Sequence, residues 1–116
     1  IILVAEDEIY NYRFLEEVLS PTKAKVLHAK DGNEAVDFVR NYPEISLVIM
    51  DLKMPGMDGH KATRLIKEMR PHLPVIAQTA TVLNENPGAS AEDFDKYLSK
   101  PIEINSFMQV IDNLLE

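Results

Sequence analysis

Three carboxylates, a hydroxyl and an ammonium group stand where short apolar runs end. Glu6 and Asp7 follow the run 1–5, Asp51 follows 46–50, Thr79 closes 73–79, and Lys100 comes just after 97–99. If those runs lie side by side, the five side chains converge on one rim. Three carboxylates at ~4 Å repel one another by ~4 kcal/mol per pair at an effective dielectric of ~20, so they stay ionised together only with a cation among them. An acidic, all-oxygen donor set suits Mg²⁺ or Mn²⁺ with several waters retained. A metal-bound carboxylate with a lysine and a hydroxyl alongside is equipped for phosphoryl transfer to the carboxylate. Asp51 would be the nucleophile, the metal and Lys100 would neutralise the equatorial oxygens, Thr79 would donate a hydrogen bond, and the product would be an acyl phosphate. Taken singly, Asp51 reads equally well as the cap of the turn after it, and Lys100 as a salt bridge over an acidic rim. The convergence of all five carries the chemistry.

The elements that must position them follow from hydrophobic periodicity. The runs IILVA (1–5) and SLVIM (46–50) are too short for independent helices, rich in β-branched residues and continuously apolar, as in parallel strands covered on both faces. Lys25 to Ala29 reads as another strand, nearer an edge, followed by Leu73 to Thr79 and by a short strand at Tyr97 to Ser99. Helical spacing separates them. Phe14, Leu15, Val18 and Leu19 mark a first helix, with acids in its first turn and Ser20-Pro21 at its end. Asp31-Gly32 opens a second helix carrying Ala35, Phe38, Val39 and Tyr42, stopped at Pro43. Asp58 can cap a third, with Ala62, Leu65, Ile66 and Met69, closed by Pro71. The last shows Ile104, Phe107, Met108, Ile111, Leu114 and Leu115. Five strands alternating with helices predict an α/β fold, a doubly wound five-stranded parallel sheet in a three-layer sandwich, with ligands at the carboxyl ends of the strands. Residues 82–95 fit least well: a central Pro-Gly pair and no apolar stripe predict a short or broken helix, or a disordered loop.

Length and composition bound the reading. At 116 residues with 46% hydrophobic content the chain makes one domain, 1–116, with a core of its own. It begins inside a strand pattern and ends inside a helical one, as a piece of a longer chain would. A net charge of −7 argues against a nucleic-acid surface, which needs a basic face. There is no cysteine, no signal-like segment and no apolar run near the ~20 residues of a membrane span, so a reducing, cytoplasmic setting is expected. His28, His60 and His72 lack metal-ligand spacing and are expected at the surface or at a strand edge. Met50, Met69 and Met108 are expected as core fillers, Met54 and Met57 as packing or partner contacts.

Four motifs, VAEDE (4–8), IMDLKMPGMDG (49–59), PVIAQTA (74–80) and YLSKPI (97–102), are together specific. Over essentially its whole length the chain resembles a response-regulator receiver domain of two-component signalling, with an opening and a closing motif slightly more like those of hybrid sensor histidine kinases. The resemblance implies the flavodoxin-like strand order 2-1-3-4-5 and Asp51 as acceptor of a phosphoryl group from a histidine kinase or a histidine phosphotransfer domain. It implies Mg²⁺ held by Asp7, Asp51 and the backbone carbonyl of Lys53, with Glu6 acting directly or through water. Thr79 and Tyr97 would form the switch, Lys100 would pair with the phosphoryl group next to a cis bond to Pro101, and Lys53 and Thr81 would tune the lifetime of the phosphoryl group. Tyr10, Asn11 and Phe14, on the first helix, become candidate contacts for the kinase, Phe14 being equally a core candidate. A dimer formed on phosphorylation, self-catalysed phosphorylation and dephosphorylation, and a place in the cytoplasmic part of a membrane-bound hybrid kinase are further expectations.

Two departures from the family pattern bear on these expectations. Glu6 stands where many receivers have Asp, which lengthens one carboxylate arm. NENPGASAEDFD (84–95) replaces the family's helix between the fourth and fifth strands and the Gly usual before the fifth, which bears on the output surface rather than on the acceptor. Three other functions remain in view. A metal-dependent phosphatase working through an aspartyl phosphate needs a second acid two residues after its nucleophile, and Lys53 is there. A flavodoxin-like cofactor binder needs a phosphate-cradling loop after the first strand, where Glu6, Asp7 and Glu8 would repel phosphate. A receiver-like module working without phosphorylation would not need the complete acceptor set.

Overall fold

The computed structural model describes residues 1–52, 59–79, 96–99 and 104–115. In chain order the elements are β1 (Ile2–Ala5), α1 (Ile9–Leu19), a 3-10 turn (Ser20–Thr22), β2 (Val26–Ala29), α2 (Gly32–Asn41), β3 (Leu47–Asp51), α3 (Gly59–Met69), β4 (Val75–Thr79), β5 (Lys96–Ser99) and α4 (Ile104–Leu115). The five strands form one sheet in the order β2-β1-β3-β4-β5, every neighbouring pair parallel. Both the order and the layering are those expected from the sequence. Every residue of β1 and β3 is buried, which is why both segments read as unbroken apolar runs rather than alternating ones.

Alternation along the strands splits the core into two layers. Leu3, Ala5, Val48, Met50, Val75 and Ala77 face one side and pack with Ala35, Val36 and Val39 of α2 and Ala62 and Ile66 of α3. Ile2, Val4, Leu47, Ile49 and Ile76 face the other, against Tyr12, Leu15 and Leu19 of α1 and Phe107 and Ile111 of α4. A period of two in each strand thus meets a period of 3.6 in each helix from both sides.

Local chemistry sets the element ends. The side chain of Asp31 accepts from Glu34 N at 2.9 Å and so caps α2, while Glu34 Oε1 accepts from Lys30 N at 2.9 Å. Strand β4 starts at Val75 rather than at Leu73, because Leu73 N donates to Arg70 O at 3.0 Å to close the turn after α3 and Pro74 has no N–H. The acids 6–8 precede α1 instead of filling its first turn: Glu8 is the N-cap residue and the helix opens on Ile9.

Four core expectations are corrected, the first being Tyr42, which is 41% exposed and stands at the C-cap of α2 rather than on its buried face. Met69 is 37% exposed, since the last turn of α3 carries it past the edge of the layer that Ile66 still reaches. Of the expected α1 stripe Leu15 and Leu19 are buried and Val18 packs partly buried, whereas Phe14 is 41% exposed and Tyr12 is in the core in its place. Ile104 is exposed as well, at the start of α4. Met50 is buried and Met108 packs partly buried against the second layer, both as expected. The expected short or broken helix at 82–95, the cap at Asp58, and Met54 and Met57 lie outside the described residues.

Phe107, on α4, is the largest fully buried side chain among the described residues. Phe107→Ala is expected to lower unfolding stability by about 3–5 kcal/mol through lost transfer energy and the cavity left behind. Urea unfolding of the two proteins checks this, and a loss below about 1 kcal/mol would mean that α4 is not seated as described.

Candidate functional site

Strands β1 and β3 are neighbours in register, Ala5 opposite Met50, so the next residues, Glu6 and Asp51, stand side by side at the carboxyl end of the sheet. This is also where the strand order turns, since β2 lies on one side of β1 and β3 on the other. Glu6 extends β1 by one rung: its N–H donates to Ala29 O at 2.9 Å. Its carboxylate accepts from Glu8 N at 3.3 Å, folding back over the start of α1. Asp51 ends β3 and is 4% exposed, and Leu52 N, just beyond, donates to Gln78 O at 3.1 Å. Glu6 is fully buried and Asp7 is exposed.

Carboxylate oxygens of Glu6, Asp7 and Asp51 lie within 4.8 Å of one another. The donor set is oxygen only and triply acidic, with two members buried where repulsion is least screened, and it fits a hard divalent cation better than any soft-ligand metal. Glu6 and Asp7 come from one chain segment and Asp51 from another, so the pairing of β1 with β3 creates the site.

Gly59 shapes its floor. Helix α3 begins against the backbone at the end of β3, with Gly59 N donating to Leu52 O at 3.4 Å. A Cβ at Gly59 would stand 2.5 Å from Asp51 O and 2.9 Å from Leu52 Cα. The obstacle is backbone on both counts, so nothing flexible can give way.

The remaining expected site residues divide as follows. Thr79 is the last residue of β4, paired with Ser99, and Tyr97 is in β5, paired with Ala77. Lys53, Thr81 and Lys100, with the bond to Pro101, lie outside the described residues. On α1, Tyr10 is 79% exposed and Phe14 is exposed beside it, with Asn11 half-buried and its Nδ2 donating to Glu8 Oε2 at 3.4 Å. His72 is exposed, whereas His28, on the edge strand as expected, is half-buried and stacked on Tyr12. Sequence reasoning missed Gly59, Tyr12 and His28. The 12, 15, 19 spacing could have found Tyr12; the other two depend on contacts between distant segments.

An all-parallel sheet in this order with an acidic triad at the strand switch defines a doubly wound α/β domain with a candidate cation site. The sequence profile of the response regulator receiver domain matches residues 2–112, and the chain belongs to that family. It is 33% identical to the sensor histidine kinase GacS of Pseudomonas protegens over 116 residues, covering 95% of the chain and 12% of that protein. Against RcsC of Escherichia coli it is 34% identical over 111 residues, covering 95% and 12%. Against the response regulator FleR of Pseudomonas aeruginosa it is 37% identical over 114 residues, covering 95% and 23%. The chain therefore spans about an eighth of the two kinases and a quarter of the regulator. Among solved structures, the receiver domain of a Pseudomonas aeruginosa sensor histidine kinase, with magnesium coordinated in its active-site cleft, is 27% identical with a TM-score of 0.88, covering 97% of this chain and 94% of that one. TrrA of Thermotoga maritima, in complex with Mg²⁺-BeF, is 26% identical with a TM-score of 0.89, covering 97% and 96%.

Gly59→Ala is expected to destabilise the fold by about 1–3 kcal/mol, as overpacking does, and to weaken divalent-cation binding, because relief of the clash moves the backbone of Asp51. Thermal unfolding with and without Mg²⁺ measures both. An alanine variant with unchanged stability would show that α3 does not rest on the end of β3.

Proposed function

We propose that this domain accepts a phosphoryl group from a phosphohistidine onto Asp51 and changes conformation as a result. The observation that carries the reading is the gathering of the Glu6, Asp7 and Asp51 carboxylates within 4.8 Å at two adjacent strand ends. An ionised Asp51 oxygen attacks phosphorus, the P–N bond of the donor breaks, its electron pair returns to the imidazole, and an aspartyl phosphate forms. Glu6 and Asp7, with Asp51 and the backbone carbonyl of Lys53, would hold Mg²⁺, with Mn²⁺ as a substitute. The cation supplies neutralisation of charge on the transferring group. Lys100 pairs its ammonium with the phosphoryl oxygens and Thr79 donates its hydroxyl to them, moving together with Tyr97 as the switch. Lys53 and Thr81 govern how readily water reaches the phosphoryl group. Magnesium in the cleft of the Pseudomonas aeruginosa receiver and Mg²⁺-BeF on TrrA support the same arrangement in this chain.

The donor is a histidine kinase or histidine phosphotransfer domain docking on α1, where Tyr10, Asn11 and Phe14 lie. Placement in the cytoplasmic part of a hybrid kinase and dimer formation on phosphorylation complete the reading; no described helix is long and apolar enough to cross a membrane.

Incubation with acetyl phosphate and Mg²⁺ is expected to add one hydroxylamine-labile phosphoryl unit by intact mass, blocked by chelator and absent in Asp51→Asn. Persistent labelling of that variant at an aspartate would overturn the assignment. In Lys100→Ala, Mg²⁺ affinity is expected to stay within about threefold while the beryllofluoride-induced change in amide spectra is largely lost, since the lysine acts on the phosphoryl group rather than on the cation. Loss of Mg²⁺ binding as the main effect would remove Lys100 from that role.

A further inference from the structure

Both backbone groups of Glu6 are tied to the neighbouring strand. Its N–H donates to Ala29 O at 2.9 Å, and its carbonyl oxygen lies 2.7 Å from Nε2 of His28. A carbonyl oxygen can only accept, so Nε2 carries the hydrogen and donates it. The imidazole is not free to turn, because it lies flat on the ring of Tyr12, with centroids 3.8 Å apart and planes 9° from parallel. Tyr12 is held in turn by burial in the α1 layer and by its hydroxyl, which donates to Glu16 Oε2 at 3.2 Å. Burial, and after it the Glu16 carboxylate, push the Tyr12 phenol above its ordinary 10.0, so it keeps its proton and this bond at neutral pH.

We propose that His28 is a positioning residue for the divalent-cation site: from a ring clamped by Tyr12 it fixes the peptide joining Glu6 to Asp7, and so aims both carboxylates toward Asp51. This rests on the cation-binding reading given above. A peptide unit is a rigid plane, so pinning the Glu6 carbonyl also sets the direction in which Asp7 leaves it. Glu6 is fully buried, and loss of the 2.7 Å hydrogen bond from the imidazole would release this peptide to turn. That turn would carry Asp7 away from the other two acids.

His28→Phe keeps a flat ring against Tyr12 and removes the donor; His28→Gln keeps an N–H of similar reach and removes the stack. The Mg²⁺ dissociation constant and the melting temperature of the metal-free protein are measured for each. The phenylalanine variant is expected to bind Mg²⁺ about tenfold more weakly, the scale of lost outer-shell support, with a metal-free melting temperature close to that of the parent, and the glutamine variant to recover most of the affinity. A phenylalanine variant that binds Mg²⁺ within twofold of the parent overturns the proposal, whatever happens to its melting temperature. If that variant does not fold, the glutamine variant decides: affinity within threefold of the parent supports the proposal, a tenfold loss overturns it. Failure of the parent itself to bind Mg²⁺ overturns the cation-site reading, and this inference with it.

Discussion

Placing three carboxylates within 4.8 Å of one another opposes folding, and the pairing of β1 with β3 imposes that placement. Each pair at such a distance repels by ~4 kcal/mol at an effective dielectric of ~20. Against this stands the burial of every side chain of the two strands, at about 1.5–3 kcal/mol for each Val, Leu, Ile or Met. A few of these residues outweigh one repulsive pair, so the sheet forms with the acids in place and the residual strain falls on the rim. An acidic rim of this kind attracts a divalent cation. The most hydrophobic strands of the fold therefore end at its most charged point.

The acids are then held from two sides by different means. On the Asp51 side the constraint is steric: α3 starts so close to the end of β3 that position 59 has no room for a Cβ. On the Glu6 side it is a chain of directional contacts running from α1 through the Tyr12 ring to the His28 imidazole and on to the Glu6 carbonyl. Close packing tolerates almost no displacement, whereas hydrogen bonds and stacks tolerate some. Asp51 therefore has the stiffer support and Glu6 the softer one.

How much of this the sequence discloses depends on how local each feature is. β1 and β3 are legible because both faces are buried and no polar residue interrupts them; Glu6, Asp7 and Asp51 are legible because they sit where those runs stop. The cap at Asp31 is legible because its partner, Glu34, is three residues away. On α1 the choice between Phe14 and Tyr12 is not legible, because Phe14 and Leu15 are both apolar and only packing against the sheet and α4 brings Tyr12 into the core with Leu15 and Leu19. Met69 fits the helical period, but the period does not say where the covering layer ends. His28 is a third kind of case. Its partners Glu6 and Tyr12 reach it only through the β1–β2 register and the tilt of α1, which no spacing along the chain encodes.

Helix α1 faces two ways. Its inner face supplies Tyr12 to the clamp on His28, and its outer face leaves Ile9, Tyr10 and Phe14 exposed close to the acid rim. Single exposed apolar residues are ordinary, but three within six positions at the start of the helix form a small apolar patch. Tyr10 and Phe14, four residues apart, share one face, while Tyr12, two residues from each, lies on the opposite side of the helix, toward the core. One rigid helix thus carries both the ring stacked on His28 and, on its opposite side, the exposed Tyr10 and Phe14.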